Sequence, residues 1–223
     1  MLTPTFGYAN DFDPALVPRM KAGDPEYAWE LVTMFPVQGE WSEEEYLALT
    51  DSTNRLIEFT DGTVEFLPMP TFLHQVLLAE LLRFFTAYAD KHDPAWVLPA
   101  GLRVRAPEKK FREPDLVYLR KASKSFKGDR YVDGADLVVE IVSPDDRSII
   151  RDYREKVAIY AAVGITEYWI VDPQESKITV LTLPEGKSVY AEHGIFRPGE
   201  TATSKLLDGF VVDVKACFDA AKA

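Results

Sequence analysis

Residues 135–142 read ADLVVEIV, and this stretch decides the fold. Alternation along a strand puts Val138, Glu140 and Val142 on one face and Leu137, Val139 and Ile141 on the other. Both faces are apolar apart from one carboxylate, as in a central strand covered on both sides. An ionised carboxylate in such a strand costs several kcal/mol unless it is paired or holds a metal ion. Glu140 therefore demands a partner, either a neighbouring Arg or Lys or a cation from outside.

Ser143-Pro144-Asp145 ends the strand and starts a helix over about 146–163, closed by Gly164. At 100° per residue, Ile149, Ile150, Tyr153, Val157 and Tyr160 form its buried stripe, and Arg151, Arg154 and Glu155 point to solvent. Lys156 falls at the stripe's edge, about 20° beyond Ile149, so it can reach the sheet. Asp152 stands four residues before it, at pairing distance on a helix. Residues 167–171 form the next central strand.

Upstream, Asp115 opens a strand over 115–119 directly after Pro114. The preceding PEKKFREP (107–114) is a polar turn, and the following RKASKSFKGDR (120–130) is a basic loop. RLIEFTDGTVEFLP (55–68) is a hairpin turning at Asp61-Gly62, a pair that tolerates positive φ. Thr71 caps a helix over about 72–91, with Leu73, Leu77, Leu81, Phe84 and Tyr88 at helical spacing. His74 sits in its first turn, in line with Leu78, Leu81 and Phe85. Ser42 with Glu45 forms a capping box for a short helix to about 49. Short strands are expected at 96–98 and 102–106, a peripheral hairpin at 177–183 and 188–191, and a last strand at 210–214 before a short helix. Residues 1–40 carry five prolines without a sustained period and read as an irregular arm, leaving 41–223 as the domain. The order of elements predicts a mixed sheet flanked by helices, α/β or α+β.

Composition narrows the function. The charge balance is 25 − 36 = −11, which disfavours non-specific coating of nucleic acid. One cysteine, Cys217, excludes an intrachain disulfide and a cysteine-type zinc cluster, and three histidines exclude a His-rich metal site. No segment has the length of a membrane span and no secretory signal is visible, so a cytoplasmic protein is expected. A Walker-type phosphate loop and a G-x-S-x-G nucleophile elbow are both lacking.

Two acids on adjacent strands with a lysine nearby make a site for a hard cation, Mg²⁺ or Mn²⁺, with oxygen ligands. Such an arrangement performs metal-assisted phosphodiester hydrolysis. REPDLVYL (112–119), DLVVEIVSP (136–144) and REKVAIYAAVGITEYWIVDP (154–173) resemble the PD-(D/E)XK nuclease superfamily. More narrowly, the chain over roughly 41–215 is similar to the Uma-type bacterial restriction-endonuclease-like family. IEFTDGTVEFLP (57–68) followed by His74 also fits it. The resemblance implies a four- to five-stranded mixed sheet with flanking helices. It makes Asp115 and Glu140 the metal-binding acids, and Glu58 and His74 polar members of the site. Val142 stands where the superfamily lysine usually does, and the resemblance assigns that role to Lys156 on the following helix. The implied activity is Mg²⁺-dependent cleavage of nucleic acid, DNA foremost. Arg112, in the basic stretch before Asp115, and Tyr160, one turn after Lys156, are the candidate substrate contacts. A homodimer is expected, since two-fold dimers are the commonest assembly and the arm can clasp a partner.

Bland readings stand beside these. Asp115 can be a strand-start turn residue, His74 a core-edge histidine, and Lys156 a snorkelling stem. Glu58 can pair with Arg55 or Arg103. The whole chain can be a catalytically silent relative serving as a binding or scaffold module. A carboxylate-pair glycosidase has only the two acids in its favour.

Overall fold

The structure is a computed structural model, and it describes residues 35–220 apart from 93, 124 and 127. The chain divides into two units, Met1–Val37 and Gln38–Ala223. The arm expected over 1–40 falls largely outside the described residues, as do Lys124 and Lys127 of the basic loop.

In the second unit, helix α1 (Glu43–Asp51) starts at the expected capping box, in which Ser42 and Glu45 satisfy each other's backbone N–H groups. Strands β1 (Ile57–Thr60) and β2 (Thr63–Phe66) form the hairpin. Its turn places Asp61 and Gly62 at φ of 47° and 83°. Gly62 is required twice over, because its φ lies in the left-handed region and a Cβ there would lie 2.4 Å from the Gly39 oxygen.

Helix α2 spans Phe72–Ala89, and β3 (Ala95–Pro99) and β4 (Val104–Ala106) follow. The stretch expected as a polar turn contains strand β5, Lys110–Arg112. The polarity misled because Phe111 is fully buried and pairs with Phe59 of β1, while its charged neighbours flank it. Strands β2-β1-β5-β4 make a four-stranded antiparallel sheet.

The main sheet has six strands rather than four or five, ordered β10-β9-β8-β7-β6-β3. Its members are β3, β6 (Leu116–Arg120), β7 (Leu137–Ile141), β8 (Glu167–Asp172), β9 (Lys177–Thr182) and β10 (Ala191–Phe196). Only β7 and β8 run parallel, joined by the helical crossover. The strand expected at 188–191 starts instead at Ala191 and closes the sheet's edge against β9. Strands β11 (Thr201–Thr203) and β12 (Val211–Asp213) pair with each other, and helix α5 (Val214–Asp219) follows. Every residue of β7 is buried, as its apolar run requires. Leu137, Val139 and Ile141 pack beneath Leu77, Leu81 and Phe85 of α2. Val138 and Val142 pack on the opposite face with Tyr160, Tyr168 and Ile170. Each such aliphatic side chain contributes about 1.5–3 kcal/mol by leaving water.

The crossover helix is continuous over 146–163 but not uniform. Helix α3 (Asp146–Ile150) passes through a π-helical turn, Arg151–Glu155, into α4 (Lys156–Val163). The Lys156 N–H bonds to the Arg151 carbonyl, five residues back. That extra residue in the turn overturns part of the 100° reading. Ile149 and Ile150 are exposed, not buried, and Arg151 is buried, not solvated. Arg151, Asp152 and Lys156 share the sheet-facing side, and Arg154 and Glu155 remain outside as expected.

Candidate active site

The ladder between β6 and β7 pairs Leu116 with Val139 and Val117 with Val138, so its next step sets Asp115 opposite Glu140. Asp115 precedes β6 because Pro114 cannot donate to a ladder and leaves the strand free to begin after it. Its Oδ2 accepts from the Ile141 N–H at 2.7 Å and lies 3.1 Å from His74 Nε2. His74 is fixed in turn by Thr71, whose hydroxyl accepts from the His74 N–H and caps α2. Its Nδ1 is buried without a hydrogen bond.

Glu140 is only 3% exposed and projects towards α4. Its Oε1 lies 2.8 Å from Lys156 Nζ and accepts from Tyr160 Oη at 2.5 Å. Lys156 is 1% exposed and also approaches Glu58 Oε1 at 3.2 Å and Asp152 Oδ1 at 3.4 Å. One buried ammonium thus holds three carboxylates from three separate elements. Those carboxylates keep Lys156 protonated, with its pKa raised well above the ordinary value against the pull of burial. Burial pushes Glu140 up to about 8; Lys156 opposes the shift, and the carboxylates of Asp115, Asp152 and Glu58 reinforce it.

Glu58 pairs with neither Arg55 nor Arg103. It faces Arg112 Nε at 3.6 Å and accepts from the Glu113 N–H at 3.4 Å, besides meeting Lys156. Arg103 is committed to Asp51 at 2.9 Å. Arg112 is a second correction. It is buried in β5 rather than displayed on a basic loop, and its guanidinium donates to the carbonyls of Phe59 and Phe111 and to Thr60 Oγ1. It braces the Glu58 strand and presents nothing to a substrate. Tyr160 is also fully buried, so its hydroxyl positions Glu140 and is closed to direct substrate contact.

Three residues escaped the sequence reading as site members. Asp152 reads in sequence only as a helical partner of Lys156, and burial raises its carboxyl. Arg151 reads as solvent-facing; its Nη2 donates to Ser148 Oγ, and its Nε lies 3.5 Å from Asp152. Glu113 sits two residues before Asp115, accepts from the Ile57 N–H at 2.9 Å, and is pushed up to about 7, chiefly by burial. In the sequence Glu113 is one charge among several in the polar run 107–114, which carries no signal of burial.

Asp115, Glu140, Glu113, Asp152, Lys156 and His74 line one narrow cleft of about 60 Å³. Among the described residues, no three His, Cys, Asp or Glu side chains are already gathered into a metal cage. The carboxylate pair nonetheless suits a hard divalent cation. Each acid has one oxygen engaged, Asp115 Oδ2 and Glu140 Oε1, and among the described residues no hydrogen bond reaches the other. The mutual repulsion that helps raise Glu140 is the field a cation would neutralise.

Among the described residues no helix is long and apolar enough to cross a membrane. No curated protein matches the chain. Among solved structures it is similar to the crystal structure of "a putative nuclease belonging to DUF820" from Anabaena variabilis ATCC 29413. The identity is 16%, with 83% of this chain and 99% of that one covered at a TM-score of 0.63, a likeness of fold. The family model described as "Uma2: Putative restriction endonuclease" matches residues 43–215, more than three quarters of the sequence, and the chain belongs to that family.

Proposed function

We propose that the protein is a divalent-metal-dependent endonuclease hydrolysing phosphodiester bonds of nucleic acid, DNA foremost. One observation carries the reading: Asp115 and Glu140 stand opposite each other across β6 and β7, at a cleft whose buried lysine lies 2.8 Å from Glu140. Family membership supports it. Asp115 and Glu140 are the residues that would hold Mg²⁺ or Mn²⁺, which would polarise a phosphate oxygen and offset the two carboxylates. Lys156 is protonated and cannot serve as a base; it opposes the burial that raises Glu140 and places positive charge where the phosphate becomes more negative. Tyr160 and Glu58 fix the position of that lysine–carboxylate pair, and His74 fixes Asp115.

The test is incubation of the purified protein with supercoiled plasmid and labelled single-stranded DNA in Mg²⁺, Mn²⁺ or EDTA, beside Asp115→Ala. Cutting that needs metal and vanishes in the variant is expected. Wild-type cutting by Asp115→Ala would overturn the assignment.

A second reading, a silent scaffold module, has its own observation: Lys156 is almost fully buried and saturated by Glu140, Glu58 and Asp152. On that reading Mn²⁺ leaves the melting temperature unchanged. On the nuclease reading Mn²⁺ raises it, because a ligand binding only the native state stabilises that state.

A further inference from the structure

The carboxylate cleft adjoins a second compartment of about 280 Å³. Leu56, Leu67, Pro68, Pro70 and Leu78 are among the residues that line both. The first is acidic and cationic; the second is apolar, with Met69 and Pro99 added and Asn54, Arg55 and Gln75 as its polar groups.

Two features of this compartment are unexplained by the fold. Met69 is 83% exposed, and Phe72, three residues on at the start of α2, is 78% exposed. They are the most exposed large apolar side chains among the described residues; Met69 lines the compartment, and Phe72 stands three residues on, outside its lining. Exposed apolar surface beside a polar cleft is where binding sites are found. Arg55 is the second feature. The other cations of the two compartments, Lys156 and Arg151, are committed to carboxylates. Among the described residues the Arg55 guanidinium has no carboxylate or hydrogen-bond partner.

Resting on the nuclease reading, we propose that this compartment receives an unstacked nucleobase of the substrate strand, with Arg55 on the adjoining phosphate, so that the enzyme takes single-stranded or unpaired nucleic acid. The space is ample for one base, and its walls offer apolar faces with Asn54 and Gln75 at the edge for polar ring atoms. A duplex would have to surrender a stacked, paired base to fill it, which costs energy that an unpaired strand does not lose. A protein of net charge −11, with Arg55 as the uncommitted cation among the described residues of these two compartments, has little phosphate attraction to offset that cost. Single strands offer unpaired base faces to a protein surface, and here the faces that would receive one are aliphatic, Leu56, Met69 and Leu78, with no aromatic side chain among the described residues of the lining.

The test uses the full chain with a fluorescein-labelled oligonucleotide carrying one 2-aminopurine, single-stranded or annealed, in Ca²⁺, followed by anisotropy and by 2-aminopurine emission. Single strands should bind about tenfold tighter than duplex, with emission changing as the base leaves its neighbours. Met69→Asp and Arg55→Glu should each weaken single-strand binding about tenfold. Met69→Asp alters an exposed side chain, and unchanged circular dichroism and melting temperature will establish that it folds. Equal or tighter duplex binding, wild-type affinity in both variants, or no binding of any oligonucleotide overturns the proposal. Asp115→Ala separates it from the nuclease reading. Met69-dependent single-strand binding by a wild-type protein that cuts nothing leaves the pocket and removes the nuclease. Metal-dependent cutting of duplex that is indifferent to Met69→Asp and Arg55→Glu does the reverse.

Discussion

Replacing Lys156 by Met should be the most damaging single change in the protein. The methionine matches the lysine stem in length, so packing is nearly conserved and the charge is what is lost. Lys156 Nζ meets carboxylates at 2.8, 3.2 and 3.4 Å. At an effective dielectric of about 20 each contact is worth roughly 5–6 kcal/mol before desolvation. Burial of the ammonium opposes much of that sum. Breaking such a buried network from one side typically destabilises by about 3–5 kcal/mol, because the remaining charges are stranded. The sign with pH follows from the same groups. Without the lysine, the folded-state pKa values of Glu140 and Asp152 rise further above their unfolded values. Acids with raised folded pKa values contribute stability that is present at low pH and lost as pH rises through them. The deficit relative to wild type should therefore be small near pH 5 and reach about 3–5 kcal/mol by pH 8. Urea unfolding in EDTA at both pH values, at unchanged m-value, measures it. Adding Glu140→Gln to Lys156→Met should recover at least about 1 kcal/mol at pH 8. A deficit under about 1 kcal/mol, or one that does not change with pH, would refute the reasoning that this lysine neutralises the buried acids.

Four further outcomes are expected. His74→Ala should lower metal-dependent cutting by about 10–100-fold while Asp115 stays in place, since it removes the group that orients the acid; initial-rate plasmid assays at varied Mn²⁺ will read it. Tyr160→Phe should cost about 1.5–3 kcal/mol in urea unfolding, the usual worth of a hydrogen bond to a charged group. Gly62→Ala should destabilise by at least about 2 kcal/mol in the same assay, because φ of 83° and the 2.4 Å approach to Gly39 both oppose a Cβ. In EDTA, Glu113, raised to about 7, should make wild-type stability fall as pH rises from about 4.5 to 7, by up to about 1.4 kcal/mol per pH unit, and Glu113→Gln should flatten that slope.

What the sequence disclosed, it disclosed through burial. Glu140 was legible because a carboxylate in LVVEI has no solvent to face, and the structure buries all five residues. The capping box, the Asp61-Gly62 turn and the long core helix were legible because each depends on residues within a few positions. Pairings that depend on distant strands were not. Phe111 reads as a lone aromatic in a charged run until β1 lies beside it. Arg112 reads as a phosphate contact until Phe59, Thr60 and Phe111 claim its guanidinium. The six-stranded sheet exceeds the expected size because β3 and β10 join its two edges, a matter of partners rather than of local pattern.

The π-helical turn accounts for the chemistry as well as for the misread helix face. Val142 lies on the same face of the sheet as Glu140 and packs into the core with Tyr160 and Ile170. A lysine at that position would have to displace apolar packing there, so the charge must come from another element. A regular α-helix through 146–163 would hold Lys156 at the edge of the buried stripe and turn Arg151 outward. Inserting one residue into the turn brings Arg151, Asp152 and Lys156 onto one side, above Glu140 and Glu58. The turn gives up regular i→i−4 bonding locally and gains a buried cation with three anions and an arginine behind it.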